Sequence, residues 1–196
     1  LEEDKKIVQK CLDAGINFFD TAEVYAEGKS EITLEKYSKI LMYKDKMCSR
    51  TKVWTSVDAE INSTKSLNRK HVKEALNSSL KRLDLEYVDI LFAHGYDQDT
   101  PRNKYADPSM NLLNKEKLFT GEQATGMLKM FSMHSDFVKS QPSQANRAQN
   151  QYNLFVRKDI EYEYQKLFEK YNYGLVCWSP LAGGFLTGKH LDGISK

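Results

Sequence analysis

Asp20 and Tyr25 stand five residues apart, just after the apolar run Ile16-Asn17-Phe18-Phe19. A strand can deliver Asp20 to its C-terminal end, and the loop that follows can hold the Tyr25 phenol over the same pocket. A barrel enzyme that passes a proton to a carbonyl oxygen needs this layout, because parallel β/α barrels carry their chemistry at strand C-termini. A purely structural reading also fits, with Asp20 capping the next helix and Tyr25 packed on it. His94 poses the same choice. It closes the apolar run 87–93, where a histidine is either a hydrogen-bonded core residue or part of a site.

A second group of residues lies near the C-terminal end. Cys177-Trp178-Ser179-Pro180 is followed by Leu181-Ala182-Gly183-Gly184 and then Gly188-Lys189. Gly183, Gly184 and Gly188 allow backbone amides to approach an anion closely. An ordinary glycine-rich loop after a strand has the same composition. No GxGxxG nucleotide fingerprint is present.

The elements that must position these residues alternate. Residues 2–14 read as a helix, with Ile7, Val8, Cys11 and Leu12 at helical spacing and Gly15 as a stop. Residues 16–20 read as a strand buried on both faces. Residues 30–43 read as a helix and 53–57 (Val-Trp-Thr-Ser-Val) as the next strand. Asn68 is an N-cap for a helix burying Val72, Ala75, Leu76, Leu80 and Leu83. Residues 87–93 form a third strand. A helix over 158–171 places Ile160, Tyr164, Leu167 and Phe168 on one face, and 175–178 form a further strand. Strands alternating with helices imply a parallel sheet with right-handed crossovers. The stretch 95–148 is polar, carries Pro101, Pro108 and Pro142, and has poor periodicity. Within it, 117–120 reads as a short strand and 122–138 as a loose helix.

Composition narrows the classes. The 196 residues are 40% hydrophobic, enough for one sizeable core and short for two. With 29 basic against 27 acidic residues, no global field favours nucleic acid or a membrane surface. No apolar run approaches the roughly 20 residues that span a bilayer, so direct membrane insertion is not expected, and no signal peptide is recognised. Three widely spaced cysteines (Cys11, Cys48, Cys177) without a CxxC fit a reduced, cytoplasmic protein. His71, His94, His134 and His190 show no metal-ligand spacing.

Three stretches, in order, carry a resemblance. They are AGINFFDTAEVYAEGKSE, SLNRKHVKEALNSSLKRLDLEYVDILFAH, and residues 150–194 from Asn150 to Ile194. Together they resemble the aldo-keto reductases, most closely the branch that contains the voltage-gated potassium channel beta subunits and their microbial relatives. The resemblance implies a parallel β/α (TIM) barrel over 1–196 as a single domain. It implies NADP(H) as cofactor and an aldehyde or ketone as substrate. Asp20, Tyr25 and His94 match the family's catalytic Asp, Tyr and His. Tyr would be the general acid, and the channel subunits often carry Asn where His94 stands. Gln149 matches the residue that holds the nicotinamide carboxamide, and Trp178 the aromatic on which the ring stacks. Ser179, Pro180 and Leu181 match the start of the loop over the pyrophosphate, and Lys189 a basic residue further along it. The carboxamide contact expected near 123–125 meets Gln123-Ala124-Thr125 instead.

The family also needs a Lys beside the Tyr, on a strand ending in Thr-Lys or Ser-Lys. Drawing the strand at 53–57 puts Val57 in that slot, the preferred alignment. A second alignment puts Lys52 there, at the wrong end of that strand yet at a distance from Tyr25 closer to the family's. The resemblance also implies that the first and eighth barrel strands are absent. That leaves one wedge with two open edges, which invite a protein partner or self-association. A catalytically impaired regulatory or structural subunit is therefore the alternative to a carbonyl reductase.

Overall fold

The computed structural model describes residues 2–41, 47–54, 66–95, 97, 99, 118–124, 147–171, 174–191 and 193. Contacts divide the chain into two compact units, Leu1–Gly121 and Glu122–Lys196.

In the first unit, helix α1 (Glu2–Asp13) ends as its glycine predicts. Gly15 takes φ 83°, its N–H donates to the Leu12 carbonyl, and the Ile16 N–H reaches back to Cys11. This closes the helix in a Schellman turn. Strand β1 (Phe18–Asp20) follows, then helix α2 (Lys29–Ile40), strand β2 (Cys48–Val53), helix α3 (Arg69–Leu83) and strand β3 (Val88–Ala93). The strands pair in parallel, with Asp20 beside Arg50, Lys52 beside Phe92 and Val53 beside Ala93. Helix α3 starts where Asn68 Oδ1 accepts the His71 N–H at 2.9 Å. Its Ala75, Leu76, Leu80 and Leu83 bury against Val53, Val88 and Leu91, while Val72 packs partly buried beside them.

Two expectations need correction here. The second strand is Cys48–Val53, upstream of the expected 53–57, of which 55–57 lie outside the described residues. Its sequence is polar, yet from Ser49 onward every residue is buried. Charged and hydroxyl side chains in it pair with groups from other parts of the unit, so hydropathy alone could not find it. The first strand is not buried on both faces. Phe18 is 37% exposed, because among the described residues β1 pairs only with β2.

The second unit begins within strand β4 (Leu118–Ala124), followed by strand β5 (Arg147–Gln151), helix α4 (Gln165–Tyr171) and strand β6 (Gly174–Trp178). Strands β4, β5 and β6 pair in parallel, with Ala124 beside Gln149 and Gln151 beside Trp178. The short strand expected at 117–120 thus runs to Ala124. Residues 122–124 are strand rather than helix, and 125–138 lie outside the described residues. The expected helix over 158–171 is broken by a widened turn at Asp159–Glu163. There the Tyr164 N–H bonds Asp159 five residues back, and Tyr164 turns inward to 1% exposure with Phe168 edge-on against it.

Candidate active site

Asp20 ends β1, and the chain leaving it stays fastened to β2. Thr21 N–H donates to the Arg50 carbonyl and Glu23 N–H to the Lys52 carbonyl. The buried Glu23 carboxylate accepts the Trp54 N–H at 2.6 Å, which ties the far side of the loop down. Beyond it the chain turns through Ala26, Glu27 and Gly28, all at positive φ. At Gly28 a Cβ would lie 2.9 Å from the Arg82 side chain, so only glycine lets Arg82 pass. Arg82 Nε reaches the fully buried Glu31 at 2.6 Å, and Glu31 also accepts the Thr51 hydroxyl at 2.7 Å. This bracing of α2 against β2 and α3 holds the loop that carries Tyr25.

Residues two apart on a strand share a face. Arg50 and Lys52 therefore project together, opposite Thr51. Lys52 is 1% exposed, and its Nζ donates to Asp20 Oδ1 at 2.6 Å and to the Thr21 carbonyl at 2.8 Å. The same Nζ lies 4.8 Å from the centre of the Tyr25 ring. His94 follows β3, anchored by its N–H on the Val53 carbonyl, and meets the Tyr25 ring edge-on at 5.6 Å. The structure thus brings Asp20, Tyr25 and His94 together around Lys52. The reason Lys52 appeared misplaced was the strand boundary: it is the penultimate residue of β2, near the C-terminal end. Val57 lies outside the described residues. The Thr51-Lys52 pair already had the expected form and was the signal for this placement. Arg50 carried no such signal.

Burial shapes the protonation of the cluster. It holds the Tyr25 phenol above its ordinary value, helped by the Asp20 charge and opposed by Arg50. It pulls the Lys52 amine below its ordinary value despite the Asp20 hydrogen bond, and Arg50 adds to that pull. It also lowers the His94 imidazole, with Lys52 the next cause. Near neutral pH the site offers a protonated phenol and a neutral imidazole. Tyr25 is 40% exposed, so this proton source faces solvent.

The remaining predicted residues lie in the second unit. Gln149 is half-buried on β5, level with Val176 of β6. Trp178 ends β6 with 41% of its surface exposed. Ser179 turns the chain at φ 51°, its carbonyl held by Asn153 Nδ2 at 2.9 Å. Pro180 and Leu181 are exposed beyond it. At Gly184 a Cβ would lie 2.6 Å from Lys189 Cε and Nζ, so the missing side chain leaves room for an ammonium folded onto the loop. A part-exposed indole followed by a glycine loop with its own cation fits a flat heteroaromatic ring carrying phosphates.

The Aldo/keto reductase family model matches residues 1–196. The chain belongs to this family. It is 36% identical over 198 residues to a putative voltage-gated potassium channel subunit beta of Schizosaccharomyces pombe, covering 100% of this chain and 58% of that protein. Probable channel beta subunits of rice (Oryza sativa subsp. japonica) and Arabidopsis thaliana are 36% and 34% identical, each covering 98% of this chain and 59% of the relative. The chain therefore spans under two thirds of the length of these relatives. Among solved structures, the holo form of aldo-keto reductase AKR11C1 from Bacillus halodurans superposes with a TM-score of 0.77 at 22% identity. It covers 93% of this chain and 58% of that one. That likeness shows the fold, a parallel β/α barrel of the aldo-keto reductase type.

Among the described residues, no helix is long and apolar enough to cross a membrane. None of them form a group of three or more His, Cys, Asp or Glu that could hold a metal.

Proposed function

We propose that this chain carries the machinery of an NADP(H)-dependent aldo-keto reductase that reduces an aldehyde or ketone, with Tyr25 as general acid. One observation carries the reading: Asp20, Lys52, Tyr25 and His94 converge at the strand ends of one unit. The reduced nicotinamide, when bound, supplies a hydride to the carbonyl carbon. The carbonyl π pair moves to oxygen, which takes the phenolic proton of Tyr25. Lys52 stands beside the ring to stabilise the phenolate left behind, and solvent at the exposed phenol returns the proton. A neutral His94 orients the carbonyl oxygen by donating an N–H. A raised phenol pKa keeps Tyr25 protonated at neutral pH, which favours reduction over the reverse oxidation.

Gln149, Trp178, Ser179, Pro180, Leu181 and Lys189 are proposed to hold the cofactor, within one family domain spanning 1–196. Cys11, Cys48 and Cys177 form no disulfide, which supports a reducing, cytoplasmic setting. A second reading draws on the channel beta subunit names of the relatives: a regulatory subunit in which β1, paired only with β2 among the described residues, takes a protein partner or a second copy along its other edge.

The test is NADPH binding by tryptophan quenching, with Trp178→Phe as control, followed by turnover with a panel of aldehydes and ketones. Tyr25→Phe should keep binding and lose about 10²–10⁴-fold in rate. Binding that ignores Trp178, or turnover that survives Tyr25→Phe, would sink the reductase reading. No binding at all would favour the regulatory one.

A further inference from the structure

Arg50 is an unusual residue to find inside this cluster. It is fully buried, and its guanidinium lies over the Phe92 ring at 3.9 Å with Phe18 at 5.8 Å on another side. A guanidinium does not shed its proton in a protein, so this is a permanent charge in an apolar sandwich. Burying such a charge is costly, and an aliphatic side chain of similar volume would fill the space at no electrostatic cost. Its Nε lies 2.8 Å from Asp20 Oδ1, the same oxygen that Lys52 Nζ contacts at 2.6 Å. Two cations thus share one carboxylate oxygen.

We propose that Arg50 is a positioning residue of the proton-donating cluster: by taking part of the Asp20 carboxylate it prevents Asp20 from neutralising Lys52, and so keeps a net positive charge facing Tyr25. The inference rests on the reading of Tyr25 as the proton donor. With Arg50, Asp20 and Lys52 together carry one net positive charge. With a neutral residue at 50 they carry none, and the phenolate formed in turnover loses that support. Among the described residues, the charged groups that act on Tyr25, Lys52 and His94 are Asp20 from β1, Glu23 from the following loop, Arg50 from β2 and Lys52 itself, Glu23 acting on His94. Glu23 is already engaged by the Trp54 N–H and lies 3.7 Å from His71. The direction of the Arg50 field agrees, since it lowers Tyr25, Lys52 and His94 alike.

The experiment follows the Lys52 amine by carbon NMR in chain labelled at lysine Cε, assigned with Lys52→Met, across pH. Arg50→Met, which keeps length and loses charge, should raise the Lys52 titration by about one pH unit. It should lower kcat about tenfold with little change in KM. Arg50→Lys, which keeps the charge, should stay near the parent in both, and Arg50→Gln should behave as Arg50→Met. A Lys52 titration unmoved in a folded neutral variant, or moved as far by Arg50→Lys, would overturn the inference. A parent chain that neither binds NADPH nor reduces carbonyls fails on the reductase reading instead. An active parent with an unmoved Lys52 fails on Arg50 alone.

Discussion

Replacing Lys52 with methionine separates what the amine does for chemistry from what it does for the fold. The change removes the 2.6 Å contact to Asp20 and the 2.8 Å bond to the Thr21 carbonyl. Breaking a buried ion pair from one side commonly costs about 3–5 kcal/mol, because the surviving charge is left alone. Asp20 is not left alone here. Arg50 Nε stays 2.8 Å from the same oxygen, and the Asp20 side chain keeps 31% of its surface in water. The main loss is one charge-assisted bond to a carbonyl, offset by burying the methionine, and should come to about 1–2 kcal/mol. The rate should suffer far more. Tyr25 would lose the ammonium 4.8 Å from its ring, and loss of an acid–base partner costs on the order of 10²–10⁴ in rate. Urea unfolding followed by circular dichroism gives the first quantity, and NADPH oxidation with an aldehyde panel gives the second. Wild-type turnover in the methionine variant would refute the assignment of Lys52. A stability loss above about 3 kcal/mol would refute the claim that Arg50 shares the carboxylate.

Glu31→Gln should lower stability by roughly 2–4 kcal/mol in urea unfolding, since it weakens both the Thr51 and the Arg82 contact at a fully buried site. A change within error would mean the bracing is incidental. His94 should make the fold acid-sensitive. Its folded value lies below its ordinary 6.5, so between the two the unfolded chain binds the extra proton, and stability falls as pH drops below about 6.5. His94→Asn should flatten that slope in a pH series of thermal melts. Gly184→Ala should weaken NADPH binding about tenfold by quenching, because φ 100° and Lys189 at 2.6 Å both resist a Cβ. An unchanged Kd would show that the loop is not part of the cofactor site.

Helix α3 was legible because every level of its sequence agrees. Asn68 caps it, apolar residues recur at helical spacing, and those same residues form the core with β2 and β3. Strand β3 was legible for a similar reason, being apolar apart from Asp89 and ending at Ala93, just before His94. Strand β2 was not. Cys-Ser-Arg-Thr-Lys-Val carries no alternation of apolar and polar residues, and the apolar tryptophan after it drew the strand boundary downstream. Each polar side chain there has a distant partner: Ser49 on Asp89, Thr51 on Glu31, Arg50 and Lys52 on Asp20. Those partners lie 20 to 40 residues away, outside any local window. The helix break at Tyr164 was likewise invisible, because a widened turn keeps the same residue types while rotating the face they form.

The polar strand is also where the fold and the candidate chemistry meet. A strand interior tolerates charge only when each charge is answered, and here the answers are the functional groups themselves. Asp20 pairs with Lys52 and Arg50; Arg50 in turn acts on Tyr25, and both cations act on His94. An apolar β2 would pack without these constraints, yet it would leave Asp20 without a cation and Tyr25 as an ordinary exposed phenol. The hydropathy pattern is therefore broken at a strand whose side chains are proposed to carry the charge for proton transfer. That is why the same six residues were the hardest to place from sequence and the most informative once placed. The residues proposed to hold the cofactor belong to the other unit, with Trp178 as an optical reporter, so binding and proton delivery can be measured separately. A variant of β2 that abolishes turnover and leaves Trp178 quenching intact is the pattern this division of labour requires.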